Sequence, residues 1–265
     1  MKTAHGKLRI NSILTALFIP LFMFAQENNF PDIEKYFSKK EKATFWRAWE
    51  HQDEFYQKIF LYEMEPLSGI QISVIKDAKE YGIFLIKKNI AGYYSPSERR
   101  LVICKDEKYK NSSLKTMQHE LSHAMLHFYS GSLFFHIPPW LNEGLAKYLE
   151  GMIYGSKNYK HKKDQYLIAR VKTLIELRDF DFADFVNLDQ EKFYNKSLSQ
   201  EGYGYAVGYC MVLFLLNKDE QAAFSLFRSL IEELKPTTEI FDEYYIGGFS
   251  KFEKDFIDYF YYFSK

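Results

Sequence analysis

Cysteine is nearly missing from this 265-residue chain: Cys104 and Cys210 are the only two. Two thiols cannot build the disulfide framework of a small secreted scaffold, nor a zinc site by themselves. Both lie in apolar surroundings, Val102-Ile103-Cys104 and Tyr209-Cys210-Met211-Val212. Buried free thiols are expected there, with a Cys104–Cys210 bridge as the alternative. An excess of either charge is also missing. Lys+Arg and Asp+Glu both total 35, so no net field recruits nucleic acid or an anionic membrane. No internal repeat or low-complexity segment is present. The N-terminal apolar run, Ile13 to Phe24, spans only 12 residues and is interrupted by Thr15 and Pro20. That is too short to cross a bilayer as a helix.

The same run has a different use. Lys2, Lys7 and Arg9 precede it, and Phe24-Ala25-Gln26 and a polar stretch follow. This is the pattern of a secretory signal peptide over residues 1–25, cleaved after Ala25. The expectation is a secreted or periplasmic protein with no stable membrane span after cleavage. An uncleaved anchor is the alternative. No Cys follows the run, which argues against a lipid-attached N-terminus.

Aromatics are abundant, with 21 Tyr, 25 Phe and a hydrophobic fraction of 47%. Such a chain buries a large core and is not disordered. Residues 26–65 read as an N-terminal helical extension. Pro31 opens one helix, and a second runs from about Glu41 to Glu63 with Phe45, Trp49, Phe55, Ile59 and Tyr62 at rough helical spacing. Pro66 and Gly69 end it. Ile70, Ile72 and Val74 alternate with polar residues and predict a strand. Residues 77–88 suit a short helix. Ile90–Tyr94 and Arg100–Cys104 are extended runs joined by Ser95-Pro96-Ser97-Glu98, a hairpin turn. Ser112 or Ser113 can cap the next helix, which Gly131 can end. Pro138-Pro139 starts a helix from Trp140 to about Met152. Further helices are expected near 162–178, 202–217, 219–235 and 250–263. Strands early and helices late make the fold class α+β.

Histidine is scarce, seven in all, and two are concentrated in His119-Glu120-Leu121-Ser122-His123. Imidazoles four residues apart share one helical face and can hold one zinc ion. The Glu between them can take a proton from a water on the metal. On a helix over Leu114–Tyr129, the residues Leu114, Met117, Leu121, Ala124, Met125 and Phe128 cluster on one side. His119 and His123 fall roughly opposite, toward a cleft.

A catalytic zinc needs a third protein ligand and an open position. Position 129, where the metzincin pattern requires His, is Tyr129. His127 is about 40° off the direction of His123 and reads as a packing or surface residue, with an outer hydrogen-bonding role as the alternative. His136 precedes the next helix and is a weaker candidate still. The third ligand expected is Glu143, within Trp140-Leu141-Asn142-Glu143-Gly144-Leu145-Ala146-Lys147-Tyr148-Leu149-Glu150. There Leu141, Leu145, Tyr148 and Met152 form the apolar stripe, and Glu143 and Glu150 share the other face. A carboxylate bracketed by Trp140, Leu145 and Leu149 needs a cation. Gly144 permits close helix–helix approach. Glu150 either orients a ligand or is solvated.

The two motifs together resemble the gluzincins, zinc peptidases with a Glu from the following helix as third ligand. The second motif is similar to that of the aminopeptidase-N-like branch, and closer to short bacterial peptidase MA-like proteins. The resemblance implies a zincin-like metallopeptidase domain over residues 66–265. It likens Arg100–Cys104 to the edge strand along which zincins lay an extended peptide. It also likens Tyr205-Ala206-Val207-Gly208-Tyr209 to the start of a late buried helix. That makes Tyr205 the hydrogen-bond donor to the oxyanion, with Tyr203 as competitor. The G-x-M-E-N sequence by which the aminopeptidase branch holds a free N-terminus is missing between Gly69 and His119, which favours endopeptidase over exopeptidase action.

The expectation is an exported zinc peptidase acting on peptide or protein substrates. His119, His123 and Glu143 hold one Zn²⁺, and Glu120 is the general base. A zinc-containing envelope binding module with little turnover, or an amidase acting on a non-peptide amide, are the alternatives.

Overall fold

The computed structural model describes residues 30–63, 69–77, 91–105, 112–155, 158–177, 180–199 and 202–263. The expected signal peptide and the helix expected at 77–88 lie outside the described residues, apart from Asp77.

The chain folds as a mainly helical α+β structure with a small sheet. Helix α1 spans Pro31–Tyr36 and α2 spans Lys39–Phe60. Pro31 supplies the preset φ of a first helical turn. Ser38 starts α2 with a reciprocal capping box: its hydroxyl accepts from the Glu41 N–H at 3.3 Å, and Glu41 accepts from the Ser38 N–H at 2.7 Å. Such a cap contributes about 1 kcal/mol. The buried face of α2 carries Phe45, Trp49, Phe55 and Ile59 as expected, with Tyr56 and Phe60 added. These residues share one contiguous apolar core with the C-terminal helices.

Strands β1 (Gln71–Ile75), β2 (Gly92–Ser95) and β3 (Arg100–Cys104) form one sheet in the order β1-β3-β2. β2 and β3 make the expected antiparallel hairpin, while β1 runs parallel to β3. The edge position expected for Arg100–Cys104 is therefore overturned. β3 is the central strand, and Leu101, Val102 and Ile103 are fully buried. A strand paired on both sides can accept no further backbone. The physical sign was present in Leu101-Val102-Ile103-Cys104, which is apolar on both faces and so suits a central strand.

Helix α3 spans Ser113–Ser130. Ser112 stands at its N-cap without a side-chain cap hydrogen bond, and Gly131, at φ +56°, follows its last turn. Met117, Leu121, Ala124 and Met125 are fully buried, as the stripe predicts. The helix is covered on a second side too, by α2. Gln52 Nε2 donates to the Gln118 carbonyl at 2.9 Å, and the Tyr56 and Ser122 hydroxyls pair at 2.7 Å. Periodicity alone missed this contact because polar residues make it.

A 3₁₀ turn over Gly131–His136 leads to α4 (Pro139–Glu150). A two-stranded hairpin follows, β4 (Met152–Tyr154) with β5 (Tyr159–His161). The remaining elements are α5 (Gln165–Leu177), α6 (Phe182–Val186), α7 (Gln190–Ser199), α8 (Tyr203–Lys218), α9 (Glu220–Glu232), α10 (Thr237–Tyr244) and α11 (Gly248–Asp258), then a π turn over Tyr259–Phe263. Helices α6, α7 and α10 were not expected, being short or rich in polar residues. α8 is apolar almost all round and buried from Ala206 to Leu215. A helix of that kind sits inside a bundle, and α4, α5, α7 and α9 surround it. Among the described residues, no helix is long and apolar enough to cross a membrane. Cys104 and Cys210 are both buried and are not bridged to each other. Burial also pushes the Cys210 thiol well above its usual range.

Candidate metal centre

His119, His123 and Glu143 meet where α3 crosses α4. The imidazole Nε2 atoms are 3.1 Å apart. Glu143 Oε2 lies 3.3 Å from His119 Nε2 and 3.6 Å from His123 Nε2. A circle through these three atoms has a radius of about 1.9 Å, just under the 2.0–2.2 Å of zinc–nitrogen and zinc–oxygen bonds. That spacing is compatible with one ion held by all three atoms.

The outer hydrogen bonds say what these atoms carry. His119 Nδ1 is 3.2 Å from Glu150 Oε2, and His123 Nδ1 is 2.8 Å from Asn142 Oδ1. Both partner atoms are acceptors, so each Nδ1 can donate a proton outward, which leaves each Nε2 free to offer a lone pair inward to a metal ion. Glu143 Oε1 accepts from the Tyr194 hydroxyl at 2.6 Å. Its Oε2 is buried and makes no hydrogen bond. Three potential ligand atoms therefore converge on one point in a largely buried place, where a carboxylate is unfavourable without a cation or a proton nearby. The three residues form a group that can hold a metal ion.

Without a cation, protons take over that role. Burial opposes charge on His119, but the Glu143 and Glu150 carboxylates outweigh it and raise the ring to about 10. Burial likewise opposes charge on Glu143, yet the His123 and His119 imidazoles and the Tyr194 phenol hold it at about 2. Glu150, also against burial, is held at about 2 by His119 and Lys147, whose Nζ is 2.7 Å from Oε2.

Glu120 is buried beside the cluster. Burial raises its carboxyl, countered by the two imidazoles and by a hydrogen bond from the Tyr94 backbone N–H. β2 can come this close because position 92 is glycine. A Cβ there would stand 2.6 Å from Thr116 Cγ2 and from the Val102 carbonyl oxygen. Among the described residues, β2 is an edge of the sheet. His119, Glu120 and Glu150 line a cleft of about 530 Å³ together with Ala91, Gly92, Asp164, Tyr166 and Leu167.

Tyr205 lines this cleft, and burial with the Glu143 and Glu120 charges keeps its phenol neutral well above the usual range. Tyr203 turns away and packs among Phe180 and Phe185. Glu150 takes the orienting position, not the solvated one. His127 sits outside the cluster, its Nδ1 2.8 Å from the Tyr94 hydroxyl and its ring against Phe134. His136 is exposed. Spacing assigned no role to Asn142 or Tyr194. Asn142 was findable as the polar neighbour of Glu143. Tyr194 lies 51 residues from its partner Glu143, with nothing local to mark it among 21 tyrosines.

Gly144 lets α4 approach α8. A Cβ there would stand 2.5 Å from the Gly208 carbonyl oxygen, and one on Gly208 would stand 2.5 Å from the Trp140 carbonyl oxygen. The close approach expected at Gly144 is real, and its partner is α8.

No protein-family model matches the chain, and no curated protein sequence matches it.

Proposed function

We propose that this protein is an exported zinc-dependent peptidase of gluzincin type, with a zincin-like catalytic domain and residues 1–25 as its signal peptide. The observation that carries the reading is the convergence of one potential ligand atom each from His119, His123 and Glu143, with the buried Glu120 carboxyl beside them. Two imidazoles and one carboxylate, with space for a fourth ligand, are the donor set of a catalytic zinc site.

Zinc held there supplies an acidified water and a positive charge for the carbonyl oxygen of the substrate. Glu120, whose carboxyl burial raises, would hold a proton taken from the attacking water and give it to the leaving amine. The Tyr205 hydroxyl donates to the oxygen as negative charge develops on it. Glu150 and Asn142 hold both ligand rings with their Nε2 atoms inward. An extended peptide would lie along β2, whose Gly92 borders the cleft.

The test is metal content and degradation of a mixed peptide library, with Glu120→Gln as control. The substitution is expected to keep zinc and abolish cleavage. Cleavage undiminished in Glu120→Gln would refute the mechanism. Zinc uptake without cleavage of any peptide would favour an envelope binding module.

A further inference from the structure

Tyr194 stands outside the two sequence motifs, yet its hydroxyl donates to Glu143 Oε1 at 2.6 Å. The two oxygens of Glu143 are thereby made unequal. Oε1 is occupied by a phenol, while Oε2 faces both imidazoles without a hydrogen bond. A free carboxylate beside a metal ion can bind through one oxygen or both. We infer that Tyr194 is a positioning residue that holds Oε1 back, so that Glu143 binds through Oε2 alone and one coordination position stays open for water and substrate. The inference rests on the metal site proposed above.

The surrounding packing supports it. Tyr194 lies on α7, and the neighbouring Phe193 is buried with its ring edge-on to Tyr194 at 5.5 Å and within 6.2 Å of Tyr205. The Ser197 hydroxyl accepts from the Gly204 N–H at 3.1 Å and ties α7 to the start of α8. A Cβ on Gly204 would collide with Ser197 Oγ and the Phe193 ring, so α7 is seated against α8 and cannot easily slide. The phenol is thus delivered to Glu143 from a fixed element. Removing its hydroxyl leaves Oε1 without a partner next to a cation, and rotation of the carboxylate is then the easiest way to satisfy it.

The test compares wild type with Tyr194→Phe, each loaded with Co²⁺ in place of zinc, because cobalt absorption reports coordination geometry. Four-coordinate cobalt absorbs strongly in the visible, and entry of a fifth ligand atom weakens it. We expect Tyr194→Phe to keep one metal per chain and its thermal midpoint, while its visible absorption falls to about half or less. Superimposable spectra would overturn the inference. Metal loss from a folded Tyr194→Phe would overturn it too, because the phenol would then be holding Glu143 in place, not holding Oε1 back. Failure of wild type to take up cobalt or zinc would sink the functional reading first, so the two failures are distinguishable. If Tyr194→Phe does not fold, Glu143→Asp gives the second comparison. Its shorter arm draws the carboxylate away from Tyr194, and an absorption band as strong as that of wild type would again count against the inference.

Discussion

Gly144→Ala should weaken both the fold and the metal site, although alanine is the better helix former. Propensity alone predicts a gain of about 1 kcal/mol. Against it stands the crossing of α4 and α8. The new Cβ would lie 2.5 Å from the Gly208 carbonyl oxygen, 2.7 Å from its carbon and 2.9 Å from Val212 Cγ2. Carbon contacts relax at about 3.5–4.0 Å, so the helices must part by about 1 Å. The nearest atoms are backbone, and no rotamer change relieves them. Overpacking of this kind costs about 1–3 kcal/mol, occasionally more. A forced backbone separation belongs at the upper end, leaving a net loss of about 2 kcal/mol. For a chain of this size that is about 4–8 °C in thermal midpoint. Because Glu143 is the adjacent residue, the third ligand moves with the backbone, and a displacement near 1 Å costs about 10²-fold in activity. The assays are thermal unfolding of the zinc-free protein, zinc affinity by chelator competition, and cleavage rate. A midpoint equal to or above wild type, with zinc affinity unchanged, would refute the reasoning. Gly208→Ala probes the same contact from the other helix, and the double variant should lose less than the two singles together.

Glu150→Gln should weaken zinc binding by about 10- to 100-fold while leaving the ligands in place, since it removes the charge that fixes the His119 tautomer; unchanged affinity by competition would remove Glu150 from the site. Tyr205→Phe should keep its zinc and lose about 10²–10³ in kcat, whereas Tyr203→Phe, packed among phenylalanines, should leave kcat near wild type. The opposite pattern in kcat would reassign the donor. Stability should also fall with acid. Burial, aided by Lys58 and Lys163, depresses His51 and His161 to about 4 from 6.5. Between those values the unfolded chain binds protons that the folded chain refuses, so stability drops as pH falls from about 6.5 to 4 and levels off below. His161→Phe, which retains the stack on Tyr148, should flatten part of that slope in denaturant titrations of metal-free protein; an identical slope would rule out His161.

The cluster of His119, His123 and Glu143 could be read from the chain because metal chemistry constrains residue type and local spacing together. His119 and His123 meet through one helical turn, and Glu143 announces itself as a carboxylate inside an apolar bracket. Sheet order could not be read so easily. The alternation at Ile70, Ile72 and Val74 marks a strand but not its neighbour, and pairing β1 to β3 in parallel requires a crossover through residues with no clear period. Short amphipathic helices such as α7 carry too few turns for a stripe to stand out, so Tyr194 was lost with its helix. Long-range polar contacts, such as Gln52 to Gln118 and Tyr194 to Glu143, have no local signature at all.

One helix explains why chain far from His119, His123 and Glu143 belongs to the candidate site. Tyr205 and Gly208 are three residues apart on α8 and therefore share a face. Gly208 is where that face touches the backbone of α4 beside Trp140 and Gly144, and Tyr205 is where it reaches the cleft. A single crossing thus sets the position of Glu143 and the distance from it to the Tyr205 phenol. Parting the helices would move the ligand and the hydrogen-bond donor away from each other at once. Because α8 is held by apolar contacts on all sides, it has little freedom to follow α4. Under the proposed function, the geometry at the substrate carbonyl would therefore be maintained by core packing as much as by the residues that touch the substrate.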